Sequence, residues 1–268
     1  MISELTRSEH SANKISSQSM AWAEDLQKTG RLDMPCFNQY TPLGSSVTAS
    51  DFNSIYGERV LALLAVGASL EARGKHDYTP LMVFAYKGEN LKFAEILLDA
   101  GANLEAKNDF GQTAFMIAVG NGAKKRAEFF LDKGADVNGI DKLGRTVPMY
   151  AVAYCSVDFI KRLFACGADM NAKDKDGKTA LMYAAESNRL DKVEYLLSIE
   201  GIDRDGFDVY IAEQYAEKQN ELESRKQELQ VAFKRSGIYS LAKIAGLTEK
   251  IGVQPQQAGL MFPAKIQG

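Results

Sequence analysis

The sequence has few of the residues that disulfide-bonded and metal-binding proteins need. It contains three cysteines, Cys36, Cys155 and Cys166, and no two of them form a CxxC pair. An odd number of cysteines without that spacing argues against a disulfide framework and against a zinc site. A reducing compartment, and therefore a cytoplasmic location, is the simplest expectation.

Long apolar runs and a secretory signal are missing as well. No stretch approaches the roughly 18 apolar residues that a membrane-spanning helix needs. Residues 1–32 lack the basic start and the apolar block of a signal peptide. We therefore expect no membrane span and no export by the general secretion route.

The chain also lacks a basic field. Its formal net charge is -3, and the longest cationic cluster is Lys124, Lys125 and Arg126. Nucleic-acid-binding domains concentrate positive charge on one face, so we expect no nucleic acid partner. With 46% hydrophobic residues, the chain can still bury a continuous core.

Residues for catalysis are scarce. The chain has two histidines, so the one nucleophile-and-base set to consider pairs Cys36 with His10 or His76. No glycine string typical of a phosphate-binding loop is present. We predict no enzymatic activity, no cofactor and no metal, and keep a cysteine-dependent enzyme using Cys36 as a remote alternative.

What the chain does contain is one short motif repeated four times. The copies are Thr79-Pro80-Leu81-Met82, Thr113-Ala114-Phe115-Met116, Thr146-Val147-Pro148-Met149 and Thr179-Ala180-Leu181-Met182. Their threonines are 34, 33 and 33 residues apart. A period of about 33 residues indicates helix pairs stacked one on the next.

Each copy of the motif has the chemistry of a helix start. A threonine hydroxyl can cap a helix, and Pro80 in the first turn gives up an amide that had no partner in any case. Further on, an apolar doublet such as Leu97-Leu98 precedes a glycine such as Gly101, which suits a helix end. The spacing therefore predicts two short helices per repeat.

This pattern resembles the ankyrin repeat family over residues 41–203. The resemblance implies an all-α ankyrin repeat solenoid of about five helix-turn-helix units with short hairpin loops. The expected units are residues 41–72, 73–106, 107–139, 140–172 and 173–203. Outside them we expect a polar extension at 1–40 with one helix, a capping and long polar helix at 204–240, and a tail at 241–268.

The sequence departs from the family at one repeated position. The resemblance implies a histidine three residues after the threonine, where all four copies have methionine instead. Because methionine is apolar and adaptable, we expect these residues to form a buried ladder. The positions are Met82, Met116, Met149 and Met182.

Function in such a solenoid is expected on the concave face, made by the first helices, and on the hairpin tips. We predict binding of a protein partner there, by a chain that is itself monomeric. Tyrosine is enriched in interface hot spots, and several tyrosines fall on this face. The predicted partner-binding residues are Tyr78, Val83, Tyr86, Lys87, Phe110, Ile117, Tyr150, Tyr154, Tyr183 and Glu186. Some of these rings could instead cover neighbouring repeats.

Two further expectations rest on resemblance. Asparagines of ankyrin repeats are hydroxylated in the eukaryotic cytosol, and Asn171 resembles an accepted site, although a role in a turn competes with that interpretation. Small acidic ankyrin proteins with polar ends also look like type IV secreted effectors of intracellular bacteria, which would give a host protein as partner. The alternative is an ordinary cytosolic scaffold.

Overall fold

The computed structural model of the protein describes residues 15–35, 39–49, 55–204 and 207. These residues contain eleven α-helices and a 3-10 turn at Lys75–Asp77. In chain order the helices are α1 Ser17–Lys28, α2 Pro42–Ser46, α3 Ile55–Ala65, α4 Pro80–Lys87, α5 Leu91–Asp99, α6 Ala114–Gly120, α7 Lys124–Asp132, α8 Val147–Tyr154, α9 Val157–Ala165, α10 Ala180–Glu186 and α11 Leu190–Ser198. Within this part of the chain, the one β-type pairing is an isolated bridge between Ile140 and Thr146. The all-α prediction is confirmed.

The repeated threonines begin the first helix of each pair. The hydroxyl of Thr79 accepts a hydrogen bond from the Met82 amide at 3.3 Å, and Thr113 does the same for the Met116 amide at 3.3 Å. Such a bond satisfies one of the amides that a helix start leaves without a partner. Thr146 is the exception, because its buried hydroxyl faces the Met149 amide in a capping box but makes no hydrogen bond of normal length there.

The chain divides into two compact units. The first consists of residues 1–169 and 173–177, and the second of residues 170–172 and 178–268. In the first unit α2, α4, α6 and α8 stack in sequence, and each packs against the helix that follows it. In the second unit α10 packs against α11.

The core lies between the stacked helices. Phe84, Phe93, Phe115 and Phe130 are fully buried in the first unit. The methionine ladder is buried as expected: Met82, Met116 and Met149 in the first unit and Met182 in the second are all at most 7% exposed. A short helix pair cannot cover its own apolar face, so contacts with neighbouring pairs supply most of the stability.

Within the extension at 1–40, where one helix is expected, the described residues contain α1, which packs against α3. Glu58 of α3 accepts hydrogen bonds from the Ser16 hydroxyl at 2.5 Å and the Ser19 hydroxyl at 3.1 Å. The Arg59 guanidinium lies 4.8 Å from the centre of the Trp22 ring. These contacts fix α1 on the first repeat.

Apart from residues 204 and 207, the expected capping and long polar helix at 204–240 and the tail at 241–268 lie outside the described residues, as do Cys36 and His10. Phe207 is described and is 1% exposed. None of the described helices has the length and apolar character needed to cross a bilayer.

Candidate functional site

Four hairpin tips project from the first unit, at residues 73–77, 107–111, 140–144 and 173–177 (hereafter the tips). A short polar side chain shapes three of them from inside. Asn108 Oδ1 accepts the amide of Phe110 at 2.9 Å, Asp141 Oδ1 accepts that of Leu143 at 2.8 Å, and Asp174 Oδ1 accepts that of Asp176 at 2.9 Å. Such turns are characteristic of Asn and Asp.

Backbone hydrogen bonds join each tip to the one before it. In the first tip, the Lys75 amide donates to the carbonyl of Gln39, ahead of the tips, at 2.8 Å. In the second tip, the Asp109 amide donates to the His76 carbonyl at 3.1 Å. The same bond joins Lys142 to Phe110 at 2.9 Å and Lys175 to Leu143 at 3.0 Å. At Gly111, where φ is +76°, an added Cβ would lie 2.7 Å from the Lys142 nitrogen. The tips therefore form a continuous row with a fixed register.

Apolar side chains are exposed along this row. Phe110 is 48% exposed and Leu143 is 56% exposed. The Phe110 ring centre lies 5.4 Å from that of His76, which is itself exposed. Since monomeric proteins seldom expose contiguous apolar groups without a function, the row has the character of a contact surface.

The C-terminal ends of the first helices carry a second set of exposed aromatic residues. Tyr86 is 41% exposed and Tyr154 is 59% exposed. Tyr86 packs edge-on against the half-buried Tyr78, with ring centres 6.3 Å apart. The ammonium of Lys87 lies 5.4 Å from the centre of the Tyr86 ring and 5.6 Å from that of Tyr40.

Side chains from α7 and α8 fix the relative positions of these helix ends. Arg126 of α7 donates through its guanidinium to the carbonyls of Tyr86 and Gly88, and Cys155, after α8, donates to the Val119 carbonyl at 3.7 Å. Cations at a helix C-terminus are stabilised by the helix dipole. The aromatic residues at these ends are therefore held on a rigid support.

Tyr150 is not part of this exposed surface. It is 9% exposed, and its hydroxyl donates to Asp141 Oδ2 at 2.7 Å while accepting from Gln112 Nε2 at 2.9 Å. The same Asp141 oxygen also accepts from Arg145 Nε at 2.8 Å. Tyr150, one of the partner-binding residues predicted from the sequence, thus supports the tips from below.

This network changes the pKa of both acids. Burial, followed by the hydrogen bond to Asp141, raises the pKa of Tyr150 to about 12. Burial by itself would raise the pKa of Asp141, but the hydrogen bonds donated by Tyr150 and Arg145 outweigh it and hold that pKa below its usual range. The carboxylate therefore stays ionised and paired at neutral pH.

Val83 and Ile117 are placed differently from the expectation. They are 1% and 4% exposed, because α4 and α6 are short helices with a neighbouring first helix on each side. Because both side chains are buried in the described structure, the proposed surface leaves them out.

In the second unit the structure places Tyr183 half-buried and Glu186 at the end of α10. The ammonium of Lys178 lies 6.0 Å from the Tyr183 ring centre and 2.5 Å from Glu186 Oε1. Both predicted residues are thus already engaged by one lysine of their own unit.

Asn171 joins neighbouring turns. Its side-chain oxygen accepts the Asp203 amide at 2.7 Å, and its side-chain nitrogen donates to the Gly201 carbonyl at 2.9 Å. Asn138 makes the equivalent bonds to Asp169 and Gly167 in the first unit. These bonds support the turn interpretation of Asn171, and its hydroxylation stays a prediction.

The chemistry of metal binding is not assembled in the described part of the chain, where no three His, Cys, Asp or Glu residues converge.

Lys142 is the surface residue that the sequence interpretation missed. The signal for it was available, because Lys142 falls at the same repeat position as Lys75 and Lys175.

Comparison with known proteins agrees with this architecture. A family model described as ankyrin repeats in three copies matches residues 46–141 and again residues 127–208. Among curated proteins none matches the sequence. Because the matched residues make up more than half of the chain, the protein belongs to the ankyrin repeat family, whose repeats are protein-interaction modules.

Proposed function

We propose that the protein is a non-enzymatic adaptor that binds a protein partner through the tips and the exposed ends of the first helices in its first unit. The observation that carries the proposal is the exposure of three large aromatic side chains, Tyr86, Phe110 and Tyr154, on adjoining repeats. Such rings bury a large area on binding and lose little conformational entropy.

The rigid support of these rings favours binding. The tips are linked by backbone hydrogen bonds, and the helix ends are held by Arg126 and Cys155. A surface that is already ordered pays little ordering entropy on association. We therefore expect a partner segment to supply most of the conformational change.

Capture of partners from cells, compared between variants, tests this proposal. The triple variant Tyr86→Ala, Phe110→Ala and Tyr154→Ala should lose the partner that the wild type recovers reproducibly, while its melting temperature stays close to that of the wild type. Phe164→Ala is the matched control, since Phe164 is 46% exposed on α9, a second helix. Equal recovery by the triple variant and the wild type would rule out this surface.

Tyr183 and Glu186 form a separate proposed contact in the second unit. Because Lys178 engages both, a partner would have to displace that lysine. The variant Tyr183→Ala should weaken capture of the same partner if this contact is used, and unchanged capture would confine binding to the first unit.

The absence of catalysis is part of the proposal. A thiol-reactive probe at neutral pH should label Cys36 no faster than a model thiol, because no motif of a cysteine-dependent enzyme surrounds it in the sequence. Unusually rapid labelling, abolished by Cys36→Ser, would favour the cysteine-dependent enzyme.

Place of action and assembly are proposed from the sequence. We propose a monomer that acts in the cytoplasm, and delivery into a host cell by type IV secretion stays a prediction based on the polar C-terminal sequence. A translocation reporter fused to the chain with and without residues 241–268 tests delivery. Light scattering of the purified protein tests the monomer.

A further inference from the structure

The tips carry a positive charge that the chain as a whole lacks. Six exposed cations lie in them, against three exposed carboxylates, while the formal net charge of the chain is -3. The cations are Arg73, Lys75, Lys107, Lys142, Lys173 and Lys175, and the carboxylates are those of Asp77, Asp109 and Asp176.

The other two carboxylates of the tips are buried, and one of them is paired with a cation outside the tips. Asp141 and Asp174 are 5% and 8% exposed, and both point inward as turn acceptors. Asp141 is paired with Arg145, whose Nη2 lies 2.8 Å from its Oδ2. At the equivalent position the second tip has the uncharged Asn108.

Three of the lysines have no electrostatic partner in the described residues. The ammonium groups of Lys75, Lys142 and Lys175 make no hydrogen bond and no ion pair there, unlike Lys107, which donates to the Ile140 carbonyl at 2.9 Å. These three lysines share one register, since their amides make equivalent bonds, to the carbonyls of Gln39, Phe110 and Leu143 in turn. Lys142 and Lys175 are on neighbouring tips, with Phe110 and Leu143 next to them in the row.

The spacing of the row matches an extended chain. Stacked helices lie about 10 Å apart, and an extended peptide in the polyproline II conformation rises about 3.1 Å per residue and returns to the same face every three residues. Three residues of such a peptide therefore span one repeat. Acidic side chains three residues apart would meet Lys142 and Lys175 in turn, with an apolar side chain between them on Phe110 or Leu143.

We propose that the partner is an acidic segment of protein that binds along the tips in an extended conformation. Its carboxylates contact Lys142 and Lys175, and its apolar side chain covers Phe110 and Leu143. This inference rests on the proposed adaptor function and specifies its ligand. Nucleic acid is disfavoured because Asp109 and Asp176 interrupt the cationic row.

Fluorescence anisotropy with the full chain tests the proposal. The probe is a labelled peptide of roughly twelve residues, long enough to span four tips, with glutamate at every third position and leucine between the glutamates. The reference peptide has glutamine in place of each glutamate. We expect the acidic peptide to bind, the glutamine peptide to bind at least about tenfold more weakly, and added salt to weaken the acidic complex.

A pair of variants with equal net charge locates the site. Lys142→Glu combined with Lys175→Glu should lower the affinity for the acidic peptide by about tenfold or more. Lys124→Glu combined with Lys125→Glu, at the exposed start of α7, should change the affinity by less than about twofold. Equal weakening by the two variants would show a nonspecific charge effect and overturn the proposal.

Other outcomes also contradict it. Failure of the acidic peptide to bind, equal binding of the glutamine peptide, or tighter binding of a labelled single-stranded RNA would each overturn the acidic-segment inference. The adaptor function would survive such results if the triple aromatic variant still lost its captured partner. If the lysine variants kept the acidic peptide and the triple aromatic variant kept its captured partner, both the acidic-segment inference and the proposed adaptor surface would be overturned.

Discussion

At the scale of single residues, threonines at the same repeat position make different hydrogen bonds in different repeats. Thr113 caps α6 through its hydroxyl, whereas the hydroxyl of Thr146, which is 4% exposed, makes no hydrogen bond in the described structure. The amide of Thr146 instead donates to Met149 Sδ at 3.4 Å. A buried hydroxyl without a partner costs free energy.

This difference predicts opposite effects of one substitution. Thr113→Val should lower the free energy of unfolding by about 1 kcal/mol, because it removes a cap. Thr146→Val should leave it unchanged or raise it by up to about 1 kcal/mol, because it removes an unsatisfied polar group of similar shape. Urea titration monitored by circular dichroism measures both, and equal losses would contradict the assignment at Thr146.

The Tyr150 and Asp141 pair predicts a loss of stability in alkali. Tyr150 has a pKa of about 12 in the folded chain and about 10 when unfolded, so the unfolded state releases its proton first. The stability contribution is complete below pH 10 and is lost as the pH rises towards 12. The loss should reach roughly 2 to 3 kcal/mol.

Tyr150→Phe provides the control for that experiment. It should be less stable than the wild type at neutral pH, because it leaves Asp141 and Gln112 without the hydroxyl. The gap between the two proteins should narrow between pH 10 and 12, since phenylalanine does not titrate. A constant gap would show that Tyr150 does not carry the pH dependence.

Single residues also show where the sequence was informative. The threonine spacing and the methionine ladder follow from period alone, and the structure agrees with both. Tyr150 was predicted to face a partner because position in a helix gives its direction but not its neighbours. Its hydroxyl is captured by Asp141 and by Gln112 of the preceding repeat, and no periodicity reports such a pairing.

At the scale of elements, one acid, Glu58, accepts several of the hydrogen bonds that attach α1 to the first repeat. The hydrogen bonds from Ser16 to Glu58 lower the pKa of Glu58, and that from Ser19 adds to them. A carboxyl group whose pKa is lower in the folded state than in the unfolded state stabilises the fold at pH values above its unfolded pKa. That contribution is lost as the pH falls through the folded-state pKa. Docking of α1 is therefore acid-sensitive.

Trp22 is the single tryptophan of the chain and reports this docking. Glu58→Ala should shift its fluorescence to longer wavelength at neutral pH, as Trp22 leaves Arg59, while the wild type should show the shift only in acid, as the pH falls through the lowered pKa of Glu58. Glu95→Ala, at an exposed position on α5, is the control. Unchanged emission in Glu58→Ala would show that other contacts hold the helix.

The ends of elements were well predicted where glycine and threonine mark them. The doublet Leu97-Leu98 followed by Gly101 predicts a helix end, and α5 ends at Asp99. The exposure of particular helix faces was not well predicted, because Val83 and Ile117 are covered by helices that lie 33 or 34 residues away in sequence. To predict which side of a helix of seven or eight residues stays exposed, the packing of the neighbouring repeats must be known.

At the scale of the first unit, stability is shared among neighbouring repeats. Phe115 lies in α6, which packs against first helices on both sides, whereas Leu43 lies in α2, whose one neighbouring first helix in the described structure is α4. Both side chains are at most 1% exposed. Position in the stack, and not burial, distinguishes them.

Hydrogen exchange should therefore respond differently to the two truncations. Phe115→Ala should cost about 3 to 5 kcal/mol and reduce protection in α4, α6 and α8 together. Leu43→Ala should reduce protection mainly in α2 and α3, since interfaces couple only adjacent repeats. A uniform loss of protection in both variants would show that the unit unfolds as one block.

The row of hydrogen-bonded tips makes loop length a property that the repeats hold in common. Deleting one residue from a tip would move its amide away from the carbonyl it must reach, and every later tip would be offset from the earlier ones. Side chains at the tips can change without that penalty. Diversification of this protein should therefore proceed by substitution, or by gain and loss of whole repeats, with insertions and deletions inside the tips selected against.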